Sequence, residues 1–155
     1  MTNVAEDIHA DIDALKEFRD ALTRYRHAQR EVVERGDHEI EMTRASLEVK
    51  EGRWRSLLAR READFAACQQ AAAQEDAAGR LADCSAEASA VREAQERLDQ
   101  IRSWQQRVEE ETSTFRGTAG RFRDLLDLDL PRTENHLLAV ITGLEAARGI
   151  QVAGS

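Results

Sequence analysis

Apolar residues recur along the first half of the chain at alternating steps of three and four residues. With Ile12 as the first seam position, the phase persists to Cys68, which is about eight heptads. A sustained period of 3.5 residues is typical of helices that coil around one another. The pattern therefore predicts an all-α fold that opens with one long helix over residues 4–75.

The seam of this helix is incompletely apolar. Polar side chains occupy several seam positions, namely Arg19, Arg26, Lys50, Arg61 and Asp64. Large apolar residues beside the seam are expected to widen it, namely Phe18, Tyr25, Val32, Leu58 and Phe65. A seam of this kind leaves a single chain poorly sealed, and it predicts a homodimer or a hetero-oligomer in which a second helix completes the core.

Gly36 interrupts the helical pattern, because a glycine inside a helix costs about 1 kcal/mol relative to alanine. The segment 35–37 is either a kink or a true break. The heptad phase is the same on both sides of it, which favours a continuous helix.

A turn is predicted between Gln74 and Cys84, around Gly79, with Ser85 as the N-cap of a second helix over residues 85–127. If the chain folds back at this turn, facing residues have numbers that add to about 156, and large apolar residues meet along the whole length. Leu47, for example, would face Val108. The mirrored pattern predicts a long antiparallel helical hairpin.

Pro131 is predicted to separate the second helix from a shorter third helix over residues 131–148, since proline is disfavoured inside a helix but accepted in its first turn. The third helix is expected to lie near Leu15 and Leu22. Residues 149–155 are expected to be a loose tail. No linker divides the sequence, so residues 1–155 are predicted to form a single coiled-coil domain.

The net charge of −8 argues against nucleic-acid binding, which usually needs a basic surface. A local basic run surrounds Trp54 and contains Arg53, Arg55, Arg60 and Arg61. These arginines either pair with glutamates of a neighbouring helix or form a phosphate-binding patch. We interpret Trp54 and Trp104 as a stacked pair in the core, with partner binding as the alternative.

The N-terminus has neither the basic start nor the apolar stretch of a secretion signal. The longest apolar run, 137–141, is far shorter than the ~20 residues of a membrane span. A cytoplasmic protein is therefore expected, while export by a route that needs no signal stays open.

Cys68 and Cys84 flank the predicted turn, where a disulfide would clamp the tip of the hairpin. The alternative is a pair of buried thiols, which a reducing cytoplasm favours.

The sequence lacks the motifs of an enzyme or of a cofactor or metal site. Glu6 and His9 have the Glu-x-x-His spacing of ferritin-like iron bundles, but that site requires a second such motif and two further glutamates. The sequence contains no second Glu-x-x-His and no phosphate-binding glycine loop. We therefore expect no catalysis, no metal and no cofactor.

The hairpin pattern, Trp54 and the segment 83–87 together resemble the Trp-x-Gly helical-hairpin proteins of type VII secretion. The same features over residues 8–128 are similar to coiled-coil proteins encoded beside bacterial polymorphic toxins. The resemblance implies a small helical partner of a secreted or toxin protein. Because Trp54 is followed by Arg55 and Ser56 in place of x-Gly, no functional residue is transferred.

Three functions follow from these patterns. The first is a non-enzymatic protein–protein interaction module that acts as adaptor, chaperone or structural subunit. The second is a secreted or toxin-associated hairpin protein, and the third is a ferritin-like metal-binding bundle.

Overall fold

The computed structural model describes residues 4–76 and 83–153; these residues are helical apart from Asp83 and Cys84, and they contain no strand. Helix α1 spans Val4–Asp76 and helix α2 spans Ser85–Asp124. A π-helical turn, Leu125–Asp129, leads directly into helix α3, Leu130–Ala153. The predicted all-α fold is confirmed, whereas the turn predicted around Gly79 lies outside the described residues.

None of the helices in the described ranges has a stretch that is long and apolar enough to cross a membrane. The chain divides into two compact units. Unit 1 comprises residues 1–37 and 115–155, and unit 2 comprises residues 38–114. Helices α1 and α2 contribute residues to both units.

The predicted helix end before Pro131 is wrong, because α2, the π turn and α3 follow one another without interruption. The amide of Leu130 donates to the carbonyl of Leu125, five residues earlier, which is the wider spacing of a π turn. Proline normally breaks an α-helix because its ring collides with the carbonyl four residues before it. A wide turn immediately before Pro131 shifts that carbonyl, so the helix continues through the proline.

Helix α3 also extends beyond its predicted end at Arg148, so the tail predicted from residue 149 onward is helical as far as Ala153. The helix lies against the N-terminal part of α1, as predicted. Lys16 Nζ is 2.6 Å from Glu145 Oε1. This ion pair, and the hydrogen bond that it includes, lowers the pKa of Glu145 below its ordinary value.

Helix α1 continues through Gly36 without a break, as the heptad phase favoured. A Cβ atom added at Gly36 would lie 3.5 Å from Cζ of Phe115, which is an ordinary packing distance. A Cβ at this position would therefore fit against the Phe115 ring without displacing it.

The core of unit 1 is built by residues from every element. The buried apolar residues are Ile12, Val33, Ala119, Leu126 and Ile141. A buried polar cluster accompanies them. Arg26 Nε and Nη2 donate to the two carboxylate oxygens of Glu134 at 3.0 and 3.2 Å, and Arg19 Nε donates to the backbone carbonyl of Glu134 at 3.1 Å.

The arginines in this cluster correct the expectation that polar seam residues leave the chain poorly sealed. Glu134 is buried, and its hydrogen bond raises the pKa of the Arg26 guanidinium above the ordinary value. Arg61 in unit 2 is also satisfied within the chain, since Nη1 donates to the carbonyl of Ala90 at 2.8 Å. Three of the five polar seam residues are therefore part of the packing, and only Lys50 and Asp64 are exposed.

The core of unit 2 consists mainly of α2 residues that pack against half-buried side chains of α1. Its buried residues are Ala94, Leu98, Ile101 and Thr112. Polar contacts between the two helices follow a regular order. Three of them join Arg44 to Glu109, Glu51 to Gln105, and Arg61 to Glu93, so the residue number falls in α2 as it rises in α1.

Candidate interaction surfaces

Cys68 and Cys84 are joined by a disulfide in the structure, with their Cα atoms 5.9 Å apart. Cys68 lies near the C-terminal end of α1, and Cys84 directly precedes α2. Both residues are half-buried. The bond therefore ties the last turns of α1 to the residue that directly precedes α2.

Asp83, rather than Ser85, supplies the side chain that caps α2. The carbonyl of Cys84 accepts the first helical hydrogen bond, from the amide of Ala88, so Ser85 is the first residue inside the helix and not its N-cap. Asp83 Oδ1 accepts from the Ser85 amide at 3.0 Å. Hydrogen bonds from the Ser85 hydroxyl and amide lower the pKa of Asp83 below its ordinary value.

Trp54 and Trp104 do not form the stacked core pair that the sequence predicted. Trp54 is half-buried, and Trp104 keeps 49% of its surface exposed. Each indole instead has arginine over it. The guanidinium of Arg61 lies 5.8 Å from the centroid of Trp54, and that of Arg107 lies 5.2 Å from the centroid of Trp104. Such distances are typical of cation–π contacts.

The two tryptophans line one groove of unit 2, which we call the tryptophan groove. Its remaining walls are aliphatic, polar or cationic side chains, namely Leu47, Lys50, Arg53, Arg97, Gln100 and Ile101. The lining contains no carboxylate. The groove is therefore a positively charged and largely apolar depression on an acidic chain.

The arginines around Trp54 have different surroundings, so neither interpretation of the basic run applies to all of them. Arg61 pairs with Glu93 of the neighbouring helix at 3.2 Å. Arg55 pairs with Glu51 of its own helix at 2.6 Å. Arg53 lines the tryptophan groove. This last position could not be recognised from sequence spacing alone, because it depends on where α2 lies.

A second surface lies on α1 within unit 1. Phe18, Tyr25 and Val32 were expected to widen the buried seam, but they are 54%, 47% and 55% exposed. That expectation is wrong for these three residues, whereas Leu58 and Phe65 of unit 2 are half-buried. In unit 1 the core is closed by the seam residues and the Glu134 cluster, which leaves the side of the helix next to the seam uncovered.

The exposed side chains form a regular pattern, which we call the α1 stripe. Alanine and a large apolar residue alternate in steps of four and three, in the order Ala14, Phe18, Ala21, Tyr25, Ala28 and Val32. All six are exposed. Ala14 and Ala21 border a shallow hollow beside Phe18. The stripe thus carries both projecting side chains and gaps between them at heptad spacing, which is what a second helix requires for knobs-into-holes packing.

Within residues 4–76 and 83–153, no group of three or more histidine, cysteine, aspartate or glutamate side chains is arranged to hold a metal ion. His9, from the Glu-x-x-His motif, lies 2.7 Å from the Arg148 guanidinium. Comparisons of the chain with protein-family models, with curated proteins and with solved structures found no match.

Proposed function

We propose that the protein is a non-enzymatic helical interaction module, an adaptor, chaperone or structural subunit that binds another helix through the α1 stripe. The exposure of Phe18, Tyr25 and Val32 at heptad spacing is the observation that carries this proposal. Scattered apolar residues on a surface need no explanation, but a contiguous row of them marks an interaction site. The row is contiguous because two exposed alanines, Ala21 and Ala28, fill the positions between these side chains.

The finer architecture that we propose is an antiparallel helical hairpin within each unit. In unit 2, the order of contacts from Arg44–Glu109 to Arg61–Glu93 supports it. In unit 1, α3 residues follow the same reversed order against α1, since Lys16 pairs with Glu145 and Arg26 pairs with Glu134.

The partner helix that fits the α1 stripe best is the same stripe of a second copy in antiparallel orientation. In that register Ala14 faces Val32, Phe18 faces Ala28, and Ala21 faces Tyr25. Every large side chain then meets an alanine, and the two-fold axis repeats each contact. A parallel pair in register would place aromatic against aromatic and alanine against alanine, which leaves gaps between layers.

Such a dimer is expected to be weak. The stripe covers the 19 residues from Ala14 to Val32, or roughly 27 Å of helix, which is short for an interface of standard size. The charged residues beside the stripe are Glu17, Arg24 and Glu31. In the antiparallel register Glu17 lies near Glu31 and Arg24 near Arg24 of the second copy. Salt screens such repulsion, so association should strengthen as the salt concentration rises.

Light scattering during size-exclusion chromatography tests the proposal. The measured mass should rise toward twice that of a single chain as protein and salt concentrations increase. A Tyr25→Glu variant should remain monomeric, because a carboxylate would be buried against Ala21 of the second copy.

The matched control is Val49→Glu, which places the same charge on an exposed apolar position of α1 outside the stripe; Val49 is 56% exposed. This variant should associate like the native protein. A native protein that stays monomeric at every concentration contradicts the dimer. Affinity capture with the native protein and with Tyr25→Glu extends the test. If the native protein is also found to capture no partner that the variant fails to capture, the interaction module itself is contradicted.

The disulfide between Cys68 and Cys84 favours a second candidate, a secreted or toxin-associated hairpin protein. Disulfides persist in oxidising compartments and are rare in a reducing cytoplasm. This bond closes a loop with a sequence separation of 16, for which loop-closure entropy stabilises the folded state by about 3 kcal/mol.

Mass spectrometry after alkylation without reductant tests this candidate in protein recovered from its native host. Secreted protein with no alkylated cysteine supports export. Recovery only from the cell interior, with Cys68 and Cys84 both alkylated, contradicts it.

A further inference from the structure

The tryptophan groove is a binding-site candidate that is independent of the α1 stripe. Its volume is about 450 Å³, within the range of sites that enclose a small ligand or a few side chains. Leu47 and Ile101 provide aliphatic walls, and Trp54 and Trp104 provide aromatic ones. A large apolar side chain would lose its hydration in this groove, and its burial is therefore favourable.

The charge of the groove is entirely positive. Lys50 and Arg53 have no ion pair among the residues that the structure describes, and Arg97 hydrogen-bonds only a neutral partner, Gln100 Oε1, at 3.5 Å. The carboxylate of Glu51, which lies between Lys50 and Arg53 in the sequence, is engaged elsewhere, since it binds Arg55 and Gln105. Three cations beside an apolar wall on a chain of net charge −8 make a local site for an anion.

We propose that the tryptophan groove binds an acidic segment of another protein, one that inserts a large apolar side chain beside the indoles. Carboxylates that flank the inserted side chain would accept hydrogen bonds from Lys50, Arg53 and Arg97. Charge-assisted hydrogen bonds of this kind are about twice as strong as neutral ones. Aromatic and arginine side chains are also the residues that contribute most to protein interfaces.

A single-stranded nucleic acid is less well matched to the groove, although tryptophan and arginine serve such ligands elsewhere. Bases bind by stacking on the faces of aromatic rings. Arg61 and Arg97 lie over the ring of Trp54 at 5.8 and 6.0 Å, and Arg107 lies over that of Trp104. Stacking would have to displace these arginines, and the acidic chain would repel a long polyanion.

Intrinsic fluorescence tests the proposal without a label, because Trp54 and Trp104 are the only tryptophans of the protein. The probes are a short synthetic peptide that repeats Glu-Leu-Leu-Glu, its counterpart with glutamine in place of glutamate, and oligothymidylate. We expect a saturable change in emission with the acidic peptide, a much weaker response to the neutral peptide, and weaker binding at high salt.

Charge reversal in the groove locates the binding. The double variant Lys50→Glu, Arg53→Glu should raise the Kd for the acidic peptide by at least about tenfold, the effect of about 1.4 kcal/mol. The control is Arg92→Glu, an exposed arginine of α2 that does not line the groove. This variant should bind within about twofold of the native protein, and circular dichroism should give native-like melting for both.

Several outcomes would overturn the proposal. These are no saturable response to the acidic peptide, equal binding of the neutral peptide, and equal loss of binding in the Arg92→Glu control. Tighter binding of oligothymidylate that the double variant abolishes would assign the groove to nucleic acid instead. Tyr25→Glu should bind the acidic peptide normally, so a failure of the α1 stripe as an interaction surface and a failure of the groove can be told apart.

Discussion

The buried carboxylate of Glu134 connects two seam arginines of α1 with α3. Its two oxygens accept from Arg26, and its backbone carbonyl accepts from Arg19. Burying a charge is unfavourable unless it is paired and hydrogen-bonded. The cluster therefore makes polar seam positions compatible with a closed core in unit 1.

Removing one partner of this pair should destabilise the protein far more than removing both. Glu134→Leu leaves Arg26 unpaired and should lower the free energy of unfolding by about 3 kcal/mol. The double variant Arg26→Met, Glu134→Leu should return to within about 1 kcal/mol of the native value. Urea unfolding of the native protein, both single variants and the double variant measures this cycle, and additive losses would contradict the pairing.

Gly36 gives a second prediction for a single residue. Gly36→Ala should stabilise the protein by about 1 kcal/mol, because alanine favours a helix and its Cβ would touch Phe115 at 3.5 Å. Gly52→Ala is the control, since it makes the same exchange in α1 with no neighbour within 4 Å. Thermal unfolding should give at least as large a gain at Gly36 as at Gly52. A loss at Gly36 alone would mean that α1 bends there.

At the level of elements, the start of α2 depends on Asp83. Hydrogen bonds from Ser85 lower the pKa of Asp83 in the folded protein below its ordinary value of 3.8. The stabilisation is therefore complete above the pKa of the unfolded state, and it is lost as the pH falls through the lower folded pKa.

The variant Asp83→Ala should consequently melt at a lower temperature than the native protein at neutral pH. The difference should shrink as the pH is lowered below about 4, where the native carboxylate also becomes protonated. Asp64→Ala, which replaces an exposed aspartate within α1, is the control. A difference that stays constant with pH would show that Asp83 acts through something other than its charge.

Sequence patterns predicted the extent of α1 well, because the heptad phase on both sides of Gly36 reports one continuous helix. The break at Pro131 was predicted wrongly, since the usual rule for proline assumes α-helical spacing and a π turn changes that spacing. Residue preference alone favours Ser85 as the cap. Asp83 lies two residues earlier, and its carboxylate competes for the same role. Only the backbone geometry distinguishes between the two candidates.

The surfaces were less predictable than the helices. Phe18, Tyr25, Val32 and the two tryptophans stand out in the sequence, but whether a position beside the seam is buried depends on the neighbouring helix. Phe18 and Phe65 both lie next to a seam position, Arg19 and Asp64 respectively, but on opposite sides of the seam; Phe18 is exposed and Phe65 is half-buried. Similarly, no periodicity could place Arg97 beside Trp54.

For the whole molecule, the α1 stripe gives self-association a specific geometry. In the antiparallel register Ala14 of one copy meets Val32 of the other, whereas the two Ala14 residues lie roughly 27 Å apart. Orientation therefore distinguishes this dimer from a parallel coiled coil.

Cross-linking with a short bismaleimide should be measured first on two variants, Ala14→Cys and Val32→Cys. The native cysteines do not react while they are bonded to each other. Each variant alone should give little covalent dimer, and an equal mixture should give a covalent heterodimer that Tyr25→Glu in both chains abolishes. Efficient dimers of each variant alone would indicate a parallel pair, and no dimer in any sample would contradict self-association through the α1 stripe.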